Sequence, residues 1–205
     1  HYPLRRQRQM CIRDSPLIPG IMALRPTARA LLLHAPLDAY LASIARKGMW
    51  GRLWVRDLFG KLLREGMVNL GIAPSDYLGL TDIQIAALGW LAQQAQFQAL
   101  TGQLGERVLT LNSEILIAHP AESLTVLARH FDIALSDADI AAIVAGPIFG
   151  RDSKTGANFG QGQRERAAQD GKTLHAEEVE KVGEWAGLIA RNNGIAMDLP
   201  RSLLG

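Results

Sequence analysis

The sequence predicts an α/β fold, predominantly helical, with a few short parallel strands. Two apolar runs carry that expectation, Ala28–Leu33 (ARALLL) and Glu106–Leu111 (ERVLTL). Each is short and nearly continuous, as a strand covered on both faces is. The third observation is the long stretch of helical periodicity between them, because helical crossovers join parallel strands. A two-stranded parallel sheet rarely stands alone. Ala28–Leu33 is therefore expected to be an interior strand of a larger open sheet.

The elements follow in order. Leu17–Leu24 suits a short helix that ends at Arg25-Pro26, since the residue before proline avoids helical dihedrals. After the first strand, His34-Ala35-Pro36 makes a tight turn, and Pro36 suits the start of a helix. Leu37, Tyr40, Leu41 and Ile44 then fall on one apolar face. Arg46-Lys47-Gly48 closes that helix with cations and a glycine. Trp50–Glu65 reads as a further helix anchored by Leu53, Trp54, Leu58 and Leu62. Gly66–Gly79 is a loop. Thr81-Asp82-Ile83-Gln84 is a capping box, opening a helix to about Gly102 with Ile83, Ala87, Trp90 and Leu91 inward. Gln94 and Gln98 lie on the same side, where they either line a cleft or satisfy backbone groups. Pro120 opens a helix through Phe131, Ser136 caps one through Ala145, and Thr173 caps a last one from about Leu174 to Asn193, stopped by Gly194.

Composition excludes several classes of function. The chain has 205 residues, enough for one domain, with 48% hydrophobic and 20% charged residues. A net charge of +2 is too balanced to argue for nucleic-acid binding. The single cysteine, Cys11, leaves neither a disulfide framework nor a cysteine-rich zinc site. His34, His119, His130 and His175 lack metal-ligand spacing, so no metal is expected. No apolar run is long enough for a membrane span. These features suggest a cytoplasmic location.

The first fifteen residues, His1–Ser15, stand apart. They lack helical or strand periodicity and have no signal-peptide core. Arg5–Ser15 resembles the translation of a transposase-type sequencing adaptor. Residues 1–15 are accordingly expected to be a disordered leader outside the fold, the other reading being a basic arm. Residues 16–205 then carry a net charge of −1, and Pro16 is expected to be a broken edge of a longer protein.

The stretch from Arg25 to Pro36 (RPTARALLLHAP) resembles the strand and turn that hold the 3′-phosphate of 3′-phosphoadenosine 5′-phosphosulfate in the sulfotransferase-like branch of the P-loop fold. Ser43, nine residues after His34, is similar to the serine of the helix that follows. Arg107–Glu114 (RVLTLNSE) and His119–Leu124 (HPAESL) are similar to a later strand and helix of that family. The resemblance covers roughly residues 17–190, mainly as element order. It implies that residues 16–205 form the C-terminal part of one sulfotransferase-like α/β domain. In its full-length form such a domain moves a sulfuryl group from 3′-phosphoadenosine 5′-phosphosulfate, as co-substrate, to a small-molecule or glycan hydroxyl.

Three departures accompany the resemblance. No glycine-rich Lys-Ser/Thr loop precedes Ala28. The turn carries His34 in place of arginine, exchanging a permanent forked cation for a group largely neutral at pH 7. The late Arg-Lys-Gly of the family has no match at its usual place. The donor-binding candidates are His34, Ser43, Lys47, Arg151 and Lys154. A phosphate near Pro36 would meet free N–H groups of the following helix, with Ser43 and Lys47 on one face four residues apart. Ser43 also reads as an ordinary helix residue, and Arg46-Lys47 as a simple C-terminus. Gly150–Arg166 holds Arg151, Lys154, Arg164 and Arg166 among its glycines, suiting either a phosphate-covering loop or a solvated surface loop. Ser113-Glu114 puts a carboxylate at the end of the second strand, where open sheets take ligands. The chain alone is expected to be inactive. The alternatives are a degenerate P-loop fold serving as a non-catalytic binding or scaffold module, and a helical protein-interaction domain.

Overall fold

The computed structural model describes residues 12–146, 149 and 175–204. A 3-10 turn at Ile12–Leu17 runs into helix α1, Ile18–Leu24. Strand β1 is Ala30–His34 and is followed by α2 (Leu37–Arg46) and α3 (Gly48–Arg64). A 3-10 turn at Pro74–Gly79 leads to the long helix α4, Asp82–Leu104, and then to strand β2, Val108–Asn112. Helices α5 (Ser113–Ala118), α6 (Pro120–His130), α7 (Asp137–Ala145) and α8 (Ala176–Asn192) complete the described chain. The fold is α/β in class and mostly helical.

β1 and β2 pair in parallel, from Ala30 opposite Val108 to His34 opposite Asn112. The C-terminal segment lies along the far side of β2. Thr110 donates its N–H to the Arg201 carbonyl at 3.0 Å and accepts from the Leu203 N–H at 2.8 Å. Main-chain groups of successive residues in such a ladder point to alternate sides. With those of Thr110 turned to the C-terminal segment, those of Leu31 and Leu33 face away from β2. β1 is thus an edge strand among the described residues, and Leu33 is 48% exposed. The expected burial on both faces holds for Leu32 but not for Leu33, because helices cover one side of this small sheet more fully than the other.

α4 is the central post. It is buried all round from Ile85 to Ala92, as a helix enclosed by several partners must be, and keeps Gln94, Phe97, Leu100 and Thr101 buried beyond that. Its start is the expected capping box: Thr81 Oγ1 accepts from the Gln84 N–H at 3.2 Å, and Gln84 Oε1 accepts from the Thr81 N–H at 2.9 Å. The main core lies where α2, α3, α4 and α8 meet, and includes Leu41, Val55, Phe59, Leu88, Leu91, Val182 and Ala186. A smaller one joins α1, the sheet and the end of α4 through Met22, Leu32, Phe97 and Val108.

One expectation is corrected. α3 was expected to bury Leu53 and Trp54, yet these are 62% and 38% exposed, while Val55, Phe59 and Leu62 face the core. Gly51 lies on the inward stripe, so near the end of α2 that a Cβ there would stand 2.8 Å from the Ile44 carbonyl oxygen. The Ile12–Leu17 turn includes Ser15, which is buried. The chain runs from that turn straight into α1. Thr173 and Leu174 lie outside the described residues. α8 begins at Ala176, and it stops in a Schellman-type cap with Gly194 at φ +64° and the Ile195 N–H on the Ala190 carbonyl at 2.9 Å.

Candidate functional site

The carboxyl end of the sheet brings together His34, Ala35 and Pro36 from β1 and Asn112, Ser113 and Glu114 from β2. Open α/β sheets take their ligands at this end. Each strand passes almost directly into a helix. Pro36 is the N-cap of α2 and supplies no side-chain oxygen. Asn112 caps α5, its Oδ1 accepting the Glu114 N–H at 2.8 Å. Glu114 thereby sits in the first turn of α5, where a carboxylate complements the helix dipole.

The β1–α2 turn is held from behind by α4. The Trp90 indole Nε1–H donates to the Ala35 carbonyl at 2.9 Å. Two turns further along α4, Gln98 holds the last segment: its Nε2 donates to the Gly194 carbonyl at 3.1 Å, and its Oε1 accepts from the Ala196 N–H at 2.8 Å. Gln98 therefore satisfies backbone groups, one of its two expected roles. Gln94 lies between these contacts on the same face, 1% exposed, with neither amide atom hydrogen-bonded to a protein partner.

His34 is half-buried, and its Nδ1 is enclosed without a well-formed hydrogen bond. Burial lowers its pKa below 6.5; the Ala35 backbone and the Asp198 carboxylate pull the other way without overcoming it. The imidazole is therefore neutral at pH 7. Burial pushes the Tyr40 phenol, one turn into α2, up to about 12, so it stays protonated and is no base.

Ser43 and Lys47 share a face of α2 but stand at its far end. At 1.5 Å per residue, Lys47 lies about 15 Å along the axis from Leu37. Its Nζ sits over the Trp54 ring, 5.9 Å from the centroid. His34 and Lys47 are thus at opposite ends of the helix and do not form one clamp. Arg151 and Lys154 lie outside the described residues.

Sequence reasoning missed a cleft of about 520 Å³ beside the start of α2. Its walls are Leu37 and Asp38 of α2, Val179 and Glu180 of α8, and Met197. Two carboxylates on an apolar lining suit an uncharged or cationic group better than a phosphate. The signal was present in the sequence as Asp38 in the first turn of α2, an anion already at the place where a phosphate would bind. Among the described residues, no three His, Cys, Asp or Glu side chains are grouped to hold a metal ion. None of their helices is long and apolar enough to cross a membrane. Compared with protein-family models, with curated proteins and with solved structures, the chain gives no match.

Proposed function

We propose that the chain is a sulfotransferase-like α/β unit of the P-loop type, which in its full domain transfers a sulfuryl group to the hydroxyl of a small-molecule or glycan acceptor. The donor is 3′-phosphoadenosine 5′-phosphosulfate. The observation that carries this reading is the sheet: β1 and β2 run parallel and in step, and both lead straight into helices at their carboxyl ends. Among the described residues β1 is the edge of this sheet, and further strands of the full domain would add there. In such a reaction the acceptor oxygen attacks sulfur in line, loses its proton, and 3′-phosphoadenosine 5′-phosphate leaves with the bridging oxygen. Protein groups contribute by holding that geometry and by stabilising the charge on the leaving phosphate. The β1–α2 turn, pinned by Trp90, is the element proposed to hold the nucleotide end, with Arg151 and Lys154 as the candidate cations for its phosphates.

A second reading is favoured by charge. His34 is neutral, and the neighbouring cleft carries Asp38 and Glu180, so the fold also suits a non-catalytic binding or scaffold module. Calorimetric titration of the chain with 3′-phosphoadenosine 5′-phosphate separates the two. Binding that weakens in Arg151→Ala and Lys154→Ala supports the transferase reading; no heat of binding supports the scaffold. Because no glycine-rich Lys-Ser/Thr loop precedes Ala28, the chain alone is expected not to turn over the donor. Turnover would overturn that assignment.

A further inference from the structure

α8 runs out at Asn192-Asn193-Gly194, the one place in the chain where glycine follows asparagine. The Asn193 amide fastens two pieces of main chain. Its Nδ2 donates to the Ile189 carbonyl at 2.9 Å and to the Leu70 carbonyl at 3.2 Å. The first bond closes the last turn of α8, and the second ties the loop between α3 and α4 to it. Gln98 holds Gly194 and Ala196 just beyond, so one short stretch joins α8, that loop and α4. Asn193 and Gly194 are nevertheless exposed. The Gly194 N–H makes a long bond, 3.3 Å, to the Arg191 carbonyl, and glycine has no Cβ to crowd the approach of its nitrogen.

We propose that Asn193 is a site of self-modification, at which deamidation unfastens the end of α8. The Gly194 main-chain nitrogen gives its proton to solvent and attacks Cγ of Asn193. The new N–Cγ bond closes a five-membered imide, the Cγ–Nδ2 bond breaks, and Nδ2 leaves as ammonia after taking up a proton. Water then opens the imide at one carbonyl or the other, leaving aspartate or isoaspartate. No electrons are exchanged, and water is the only co-reactant. Nucleophile and carbonyl belong to neighbouring residues, so ring closure needs no encounter. The product reverses each interaction of the parent. A carboxylate accepts and does not donate, so the Leu70 and Ile189 carbonyls lose their donor and meet a negative charge. That charge also opposes the carboxyl end of the helix dipole. In isoaspartate the main chain is longer by one carbon, which breaks the register of the Gly194 cap. The same clasp governs the rate: the amide must leave both carbonyls before its Cγ turns to Gly194, so conversion proceeds from a locally opened state.

Ageing the full chain in mildly alkaline buffer, followed by digestion and peptide mass spectrometry, tests this. Conversion should be about tenfold faster at Asn193 than at Asn69, Asn112 or Asn192, none of which precedes glycine. It should be about tenfold slower than in an unstructured peptide of residues 188–198, since two hydrogen bonds must open first. The converted chain, separated by its extra negative charge, should melt at a lower temperature than the fresh chain, and Asn193→Asp should melt with it. Asn193→Gln keeps an amide but needs a larger ring to close, so it should not convert. The proposal is overturned if Asn193 keeps its amide while the peptide loses it, or if the converted chain is as stable as the fresh one. Conversion at the peptide's own rate also overturns it, by showing that no clasp holds the side chain in the folded protein.

Discussion

Trp90 of α4 donates its indole N–H to the carbonyl of Ala35, 2.9 Å away and 55 residues earlier in the chain. This bond fixes the turn between β1 and α2 to the central helix. Trp90→Phe keeps most of the packing but leaves that partly buried carbonyl without its donor, a loss of about 1–3 kcal/mol. Trp90→Ala also removes the ring from the core and should cost about 3–5 kcal/mol. Urea unfolding of both variants measures the difference. A Trp90→Phe protein as stable as the parent would show that the hydrogen bond contributes nothing beyond the packing of the ring.

Gly51 marks the close approach between the end of α2 and the start of α3. A Cβ placed there would lie 2.7 Å from the Lys47 Cβ and 2.8 Å from the Ile44 carbonyl oxygen. The second of these is main chain and cannot swing away. Gly51→Ala, ordinarily favourable inside a helix, should here destabilise by about 1–3 kcal/mol through overpacking. Gly60 on the same helix has only the far end of Arg64 near it, at 3.5 Å, so Gly60→Ala should be neutral or stabilising. A thermal melt of the two variants side by side decides the point.

Thr81 and Gln84 close the capping box at the head of the most buried helix. Thr81→Ala removes the acceptor for the Gln84 N–H and should lower stability by about 1 kcal/mol. Gln84→Ala should cost less, because only the Thr81 N–H is released and it lies at an exposed helix end. Chemical denaturation of both variants reads the order, and the reverse order would contradict the capping geometry.

What could be read from the sequence was local. The two strands, the capping box at Thr81, the cap at Ser136, the cationic end of α2 and the stop at Gly194 all follow from groups a few residues apart. The inward face of α3 was misjudged because Leu53 and Trp54 are as apolar as Val55 and Phe59. Which stripe turns inward is settled by the packing of α3 on α2 and α4, the close approach at Gly51 included. The candidate site was legible to the extent of the β1–α2 turn. That Trp90 reaches Ala35, that His34 is enclosed near Asp198, and that Lys47 stands at the wrong end of α2 for His34 are tertiary facts. Helical spacing could place Gln94 and Gln98 on one face, but not show that Gln98 holds the chain at Gly194 and Ala196.

Two histidines make stability depend on pH in the same direction. Burial lowers the pKa of His34 at the end of β1. It also lowers that of His130, whose Nε2 lies 3.1 Å from the Ala30 carbonyl, with Arg29 adding to the effect. Between the lowered values and 6.5 the unfolded chain binds more protons than the folded one, so stability rises with pH across that window. Below it the destabilisation is complete, and above 6.5 it is gone. The urea midpoint should therefore fall between pH 7.5 and pH 5. His34→Gln/His130→Gln should show a smaller fall. An undiminished fall in that variant would assign the pH dependence to other groups.

Gln94 offers the last prediction. It is enclosed in α4 between the contacts made by Trp90 and Gln98, and neither end of its amide finds a protein partner. A buried amide without compensation costs about 1–3 kcal/mol on mutational scales, whereas methionine has a similar length and fills irregular space without polar demand. Gln94→Met should therefore raise stability by about 1 kcal/mol. A residue kept at such a cost, on the face of α4 that holds the β1–α2 turn, is expected to serve binding there. If so, the same substitution should weaken any ligand that the turn holds, giving a higher denaturation midpoint together with lower affinity. A destabilised Gln94→Met protein would show instead that the amide is satisfied in the folded state and belongs to the architecture of the core.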